Sequence, residues 1–146
     1  VDPKLFTGYV LDHSNPDNAD EHQAEQFAIL SGYPRDTPVW LSDVVHFVSE
    51  WRFYVQGGHI IGEARYDADG PEHTPGPNRF IVSTAIVDMG VSHPYTMDFG
   101  VLEDGHTALV ECNDAWAIGL YGFALAPSAY LNFLWERWQS LLNRGA

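Results

Sequence analysis

The chain has 146 residues, of which 45% are hydrophobic and 14% aromatic, enough for one folded domain with a core of its own. The formal net charge is −13 with the acids spread along the chain, which argues against non-specific binding to nucleic acid or to anionic membranes. There is no signal peptide and no apolar run of about 20 residues, and the single cysteine, Cys112, cannot form an internal disulfide, so we expect a cytoplasmic protein.

The first third of the chain predicts a strand, a helix and a second strand. Residues 1–12 are strand-like, and helical spacing covers residues 17–30. Acidic residues near the start of this helix favour its dipole, and Gly32 suits its C-terminal cap. Residues 39–47 predict a strand. The predicted apolar stripe of the helix consists of Ala24, Phe27, Ala28 and Leu30.

Further along, residues 79–87 are rich in β-branched side chains and predict a strand. A final helix is expected to begin with Ser128 as its N-cap and to end near Asn143. Together with two hairpins, these elements predict an α+β fold dominated by antiparallel strands, in a single domain over residues 1–146. The predicted core face of the last helix carries Leu131, Leu134, Trp135, Trp138, Leu141 and Leu142.

The hairpin MDFGVLEDGHTALVECND brings two carboxylates together. With Asp104-Gly105 as a two-residue turn, Asp98 lies directly opposite Glu111, and Asn113 shares their face. Opposed carboxylates repel, and a divalent cation would remove that cost, since the oxygen ligands suit Mg²⁺. A solvated polar face without metal is the alternative that the pattern leaves open. The opposite face, expected to be core, carries Met97, Phe99, Val101, Ala108, Val110 and Cys112.

The earlier hairpin, EWRFYVQGGHIIGEARY, carries two arginines on its strands. With its glycine pair as the turn, Arg52 faces Glu63 and Glu50 faces Arg65. The pairs are either cross-strand ion pairs on a wet surface or arginines held for recognition of phosphate or carboxylate. The apolar side is predicted to carry Trp51, Phe53, Val55, Ile60 and Tyr66.

The segments PVWLSDVV, SEWRFYV, IIGEARY and VECNDAWAIGLYG, together with KLFTG, resemble the C-terminal half of ATP-grasp enzymes. In their details they are similar to a bacterial and phage clade that is distinguished by two arginines and a lysine. The resemblance covers residues 4–137 and implies an antiparallel sheet packed with helices, binding ATP and Mg²⁺. The subdomain that normally precedes this half is expected to be missing from the chain.

The resemblance also implies where the nucleotide would bind. Asp43, Val44 and Val45 would lie at the hinge that brackets adenine. Glu50 would bond the ribose hydroxyls, and Lys4, matched to the clade's lysine, would contact the α- or β-phosphate.

For the chemistry, the resemblance implies that Asp98 and Glu111 bind one Mg²⁺ while Glu111 and Asn113 bind another. Arg52 and Arg65, matched to the clade's arginines, would act as catalytic residues. They would clamp the transferring phosphoryl oxygens or the acceptor carboxylate.

The function expected from the resemblance is an ATP- and Mg²⁺-dependent carboxylate–amine or carboxylate–thiol ligase that works through an acyl phosphate. Its substrate would be a small-molecule or peptide carboxylate. One alternative is a non-catalytic ATP-grasp remnant that serves as a binding or assembly module. Another is a metal-dependent nuclease, since Asp98 with Glu111-x-Asn113 looks similar to a nuclease hairpin, although the acidic field is wrong for DNA. Homo-oligomerisation and a missing N-terminal segment both stay open.

Overall fold

The computed structural model describes residues 8–10, 21–66 and 74–143. The chain divides into two compact units, Val1–Val44 and Val45–Ala146. The strand expected over residues 1–12 lies largely outside the described residues. Among the helices of the described part, none is both long and apolar enough to cross a membrane.

The first unit contains one helix, α1 (Glu21–Ser31). It confirms the later part of the predicted helix, and Gly32 follows it with a backbone bond to Ile29 O at 3.1 Å. Its buried residue is Gln26, so the predicted apolar stripe is not the buried face. The strand predicted over residues 39–47 is wrong, because residues 38–46 have no regular structure and pair with no strand of the described chain.

The second unit is built on a four-stranded antiparallel sheet in the order β2-β1-β3-β4. Both predicted hairpins are present, and the sheet confirms an α+β fold dominated by antiparallel strands. The strands are β1 (Phe47–Gln56), β2 (His59–Arg65), β3 (Tyr95–Leu102) and β4 (Thr107–Asp114).

A helix, α2 (Arg79–Met89), stands where a strand was predicted, so that prediction is wrong. The ends of the segment explain the outcome. Asn78 Oδ1 accepts a hydrogen bond from Phe80 N at 2.9 Å, and Gly90 closes the helix with φ 60°. These caps and the burial of Val82 and Ile86 override the strand propensity of the β-branched residues.

The sheet is covered on both sides. The α2 face, named for the helix on it, carries Phe53, Val55, Met97 and Phe99, which pack with Val82 and Ile86. The opposite side, the α3 face, carries Tyr54, whose ring meets Phe133 edge-on at 5.7 Å. Phe133 belongs to the last helix, α3 (Pro127–Leu142), and the two clusters form the core of this unit.

Two predictions about α3 are wrong. Its N-cap is Ala126, without a side-chain bond, and Pro127 begins the helix, since a proline there gives up no helical hydrogen bond. The residues it buries are Phe133 and Arg137. Of the predicted core face, Leu131, Trp135 and Leu142 are 65%, 59% and 68% exposed, whereas Leu134 contacts the core.

Cys112, predicted to be a core residue, is exposed. It lies opposite Met97, which is buried. β4 is an edge strand, and the cluster under α2 draws its residues from the other three strands. The period-two pattern gave the right side of the sheet but not the extent of its cover.

Candidate functional site

The predicted opposition of Asp98 and Glu111 is confirmed. The two-residue turn assumed for it is wrong, because Gly105 N bonds to Leu102 O at 2.9 Å and the loop holds three residues, 103–105. An irregularity between Asp98 and Phe99 places one extra residue, Val110, in β4. The two one-residue shifts cancel, so the carboxylates meet as predicted.

Arg52 is the third charged residue at this position. It pairs with Asp98 across β1 and β3, and not with Glu63 as predicted. Arg52 Nε donates to Asp98 Oδ1 at 2.8 Å and Nη2 donates to Oδ2 at 2.5 Å, while Nη2 lies 3.5 Å from Glu111 Oε1. Asp98 is fully buried and Arg52 is 6% exposed. The repulsion between the carboxylates is therefore reduced by a guanidinium within the fold.

Two tyrosines enclose Arg52, and neither was predicted as a site residue. The ring centroids of Tyr66 and Tyr121 lie 5.6 and 5.0 Å from Arg52 Cζ, within the range of cation–π attraction. Tyr66 O–H donates to Glu50 Oε2 at 2.5 Å. Tyr54 O–H donates to Gly119 O and accepts from Tyr121 N, both at 2.9 Å. The buried Tyr54 phenol thus anchors the loop that carries Tyr121.

Tyr66 was predicted to lie on the other side of the sheet. The Gly57-Gly58 turn is confirmed, but a bulge between Tyr54 and Val55 shifts the register farther from the turn. A one-residue shift exchanges the faces, so Tyr66 joins Arg52. The signal available in the sequence was the aromatic residue at the end of the hairpin, and the bulge itself left none.

The burial of these groups sets their protonation. Burial raises the pKa of Asp98, the Arg52 guanidinium opposes that rise, and the neighbouring Glu111 adds to it. The pKa of Arg52 is raised, chiefly by its hydrogen bond to Asp98, so it stays cationic. The pKa of Tyr66 is also raised, first by burial and then by its bond to Glu50, so its phenol stays a donor.

Asn113 completes the predicted set. Its Nδ2 donates to Glu111 Oε1 at 2.8 Å, and the Glu111 side chain is 53% exposed. Within the described ranges, Glu111 Oε2 and Asn113 Oδ1 make no hydrogen bond, and each Asp98 oxygen keeps a lone pair beyond Arg52.

These donors suit Mg²⁺, which takes few protein oxygens together with phosphate and water. The suitability depends on the Asn113 amide. No cluster of three or more His, Cys, Asp or Glu side chains that could hold a metal occurs in the part of the chain that the structure describes.

An ATP-grasp domain family, the second family of the clade marked by two arginines and a lysine, matches residues 1–133. The chain belongs to this ATP-grasp family. The resemblance inferred from the motifs is therefore confirmed, and the chain is an ATP-binding domain of ligase type. ATP-grasp domains bind ATP and typically Mg²⁺. No curated protein matches the chain.

Arg65 lies apart from the ATP-grasp carboxylates. It pairs with Trp51, and not with Glu50 as predicted, which places it on the α2 face. There it lines a cavity of about 420 Å³, and its Nη2 donates to Thr74 Oγ1 at 3.3 Å. In the same cavity Arg79 is ion-paired with Glu63. The structure therefore does not bring Arg52 and Arg65 together.

The residues expected at the nucleotide of the ATP-grasp domain are placed as follows. Glu50 lies on the α3 face with Arg52, half-buried and bonded to Tyr66. Asp43 and Val44 belong to the first unit and Val45 begins the second, all three exposed and without regular structure. Lys4 lies outside the described residues.

Proposed function

We propose that this ATP-grasp domain is the ATP- and Mg²⁺-binding part of a ligase. The enzyme would activate a small-molecule or peptide carboxylate as an acyl phosphate, which an amine or thiol then attacks. The observation that supports this most is the placing of Asp98, Glu111 and Asn113 on neighbouring positions of two paired strands, on one face of the sheet.

Asp98, Glu111 and Asn113 would hold Mg²⁺, which supplies charge neutralisation at the phosphate oxygens. The protein's own contribution is position. Asp98 is buried and its two oxygens are fixed by Arg52, so little reorganisation is needed at the site. Glu111 is half exposed and its free oxygen is available to the ligand side of the sheet.

Arg52 would complete the site from below as a fixed positive charge facing the phosphates. Its stacking between Tyr66 and Tyr121 limits its movement and excludes water from its flanks. Tyr66 in turn orients Glu50, the residue proposed for the ribose hydroxyls. The hinge proposed at Asp43, Val44 and Val45 would contact adenine.

Arg65 is proposed to act separately, because it lies on the other face of the sheet from Arg52. Its surroundings of Trp51, Thr74 and Arg79 suit an anionic group such as a carboxylate. A joint clamp by the two arginines has no support in the register.

One observation favours a second candidate, a domain that binds ATP without catalysis. Both Asp98 oxygens are engaged by Arg52, which is an arrangement that also stabilises a site without metal. The nuclease alternative has no such observation, and the acidic charge of the chain remains unfavourable for DNA.

Calorimetric titration of a non-hydrolysable ATP analogue, with and without Mg²⁺, tests the proposal. Binding by the wild type should require Mg²⁺. It should weaken at least about tenfold in Asp98→Asn, since one carboxylate ligand worth about 1.4 kcal/mol or more is lost. Arg137→Gln, which removes a different buried Arg–Asp pair, should bind as the wild type does.

Absence of binding by the folded wild type at millimolar nucleotide would refute an ATP site in this chain. Binding without turnover across a panel of carboxylates and amines would favour the non-catalytic candidate. Equal affinity of Asp98→Asn and the wild type would remove Asp98 from the site.

A further inference from the structure

We propose that Arg52 is a resident counter-cation that suppresses metal binding until nucleotide is present. It holds Asp98 and Glu111 while no metal is bound, and a divalent cation must compete with it for these carboxylates. The inference rests on the proposed function in one respect, namely that Asp98 and Glu111 take Mg²⁺.

The two arms of Arg52 are unequal. Its bond to Asp98 is bidentate, short and buried, whereas its contact to Glu111 is 3.5 Å long and lies against solvent. Glu111 can therefore turn to a metal at little cost, while Asp98 stays held. A metal entering the site would share Asp98 with Arg52 and take Glu111 from it.

Charge gives the competition its sign. One guanidinium faces two carboxylates, so the cluster keeps a net negative charge that attracts a cation. The same guanidinium repels that cation at short range, and burial weakens the screening by solvent. The metal affinity without nucleotide is thus lower than two carboxylates and an amide would otherwise give.

Arg52 cannot relieve this repulsion by moving away. Its guanidinium lies against the rings of Tyr66 and Tyr121, and the Tyr121 backbone is bonded to the buried Tyr54 phenol. Only added negative charge can accommodate both cations, and the phosphates of ATP would bring it. Metal and nucleotide would then bind cooperatively, each raising the affinity for the other.

Titration of Mg²⁺ and Mn²⁺ without nucleotide, by calorimetry on the whole chain, tests the inference. Arg52→Gln should bind the metal at least about tenfold more tightly than the wild type, which corresponds to about 1.4 kcal/mol. Arg52→Lys, which keeps the charge, should stay within about threefold of the wild type. Arg137→Gln should leave the metal affinity unchanged, and adding Glu111→Gln to Arg52→Gln should abolish the gain.

The results separate the two proposals. If the wild type binds the Mg²⁺–nucleotide complex but Arg52→Gln gains no metal affinity, the counter-cation role is refuted and the ligase proposal stands. If no variant binds metal and the wild type binds no nucleotide, both proposals fall.

Where Arg52→Gln fails to fold, the wild type supplies the readout. The NMR signal of Arg52 Nε–H, assigned by its loss in Arg52→Lys, should shift as Mg²⁺ is added, while that of Arg137 should not. An Arg52 signal that stays unmoved at Mg²⁺ concentrations that saturate binding would overturn the inference.

Discussion

Arg52 and Asp98 form an ion pair that is almost fully removed from water, with two short hydrogen bonds between them. Each charge has lost most of its hydration, so each depends on the other for compensation. Glu111 adds a second, longer contact to the same guanidinium, and Tyr66 and Tyr121 cover its faces. The folding of the sheet and the preparation of the candidate site therefore depend on the same side chains.

This dependence predicts a large loss of stability when one partner is removed alone. Arg52→Met should lower the free energy of unfolding by about 3–5 kcal/mol, because Asp98 is left buried and uncompensated. The double variant Arg52→Met with Asp98→Leu should recover much of that loss. Urea unfolding of the two single variants and the double variant measures the coupling.

A double variant as unstable as the sum of the two single variants would contradict the prediction. It would mean that Arg52 and Asp98 act independently. The free energies should be compared only where the urea dependence of unfolding is unchanged.

At the scale of elements, the ends of the helices decide more than the residues within them. α2 contains the β-branched run that predicted a strand, yet Asn78 and Gly90 supply caps that a strand does not use. α3 begins at Pro127, although Ser128 has the better capping side chain. Local propensity favoured the wrong element in one segment and the wrong boundary in the other.

The two helices provide a matched test of capping. Asn78→Ala should lower the free energy of unfolding by about 1 kcal/mol, because it removes the bond from Phe80 N to Asn78 Oδ1. Ser128→Ala, at the position that the sequence favoured as a cap, should change it by no more than about 0.5 kcal/mol, since its side chain caps nothing there. Thermal unfolding of both variants gives the comparison.

A loss in Ser128→Ala as large as that in Asn78→Ala would contradict the boundary of α3 at Ala126. A neutral Asn78→Ala would contradict the side-chain cap of α2. Circular dichroism before heating should confirm that both variants keep their helices.

At the scale of the second unit, α3 is held to the sheet by apolar contact and by one ion pair. Phe133 packs on Tyr54, and Arg137, which is 4% exposed, donates Nε to Asp114 Oδ1 at 2.6 Å. The bond from Arg137 lowers the pKa of Asp114. The pair thus ties the helix to the edge strand β4 in a manner that depends on pH.

The sign of that dependence follows from the direction of the shift. Because the pKa of Asp114 is lower in the folded chain, the pair contributes its full stability above the unfolded value of about 3.9 and loses it as pH falls further. Asp114→Asn should therefore be less stable than the wild type at pH 7, and the difference should shrink as the pH falls through about 4 toward the lowered pKa.

Urea unfolding of the wild type and Asp114→Asn across this pH range measures the difference. Asp104→Asn serves as the control: Asp104 also has a lowered pKa but is exposed, so its ion pair with His106 should contribute little. A stability difference for Asp114→Asn that does not vary with pH would contradict the assignment to its charge.

The sequence by itself determined the hairpins, the α+β class, the family and the opposition of Asp98 to Glu111. Those depend on glycine turns, on period-two alternation and on residue types at fixed spacing, which are local properties. The opposition was correct even though the assumed turn was not, because the bulge at Val110 offset the longer loop. The confirmation therefore depended on a feature that no local pattern reveals.

Only the tertiary structure decided which side chains meet across non-neighbouring segments. The pairing of Arg52 with Asp98, the separation of Arg52 from Arg65 and the enclosure by Tyr66 and Tyr121 all depend on sheet order or on a bulge. The exposed face of α3 was likewise set by the anchors at Phe133 and Arg137. The physical reason is that a one-residue shift in register exchanges the faces of a strand, and burial rewards whichever face finds a partner.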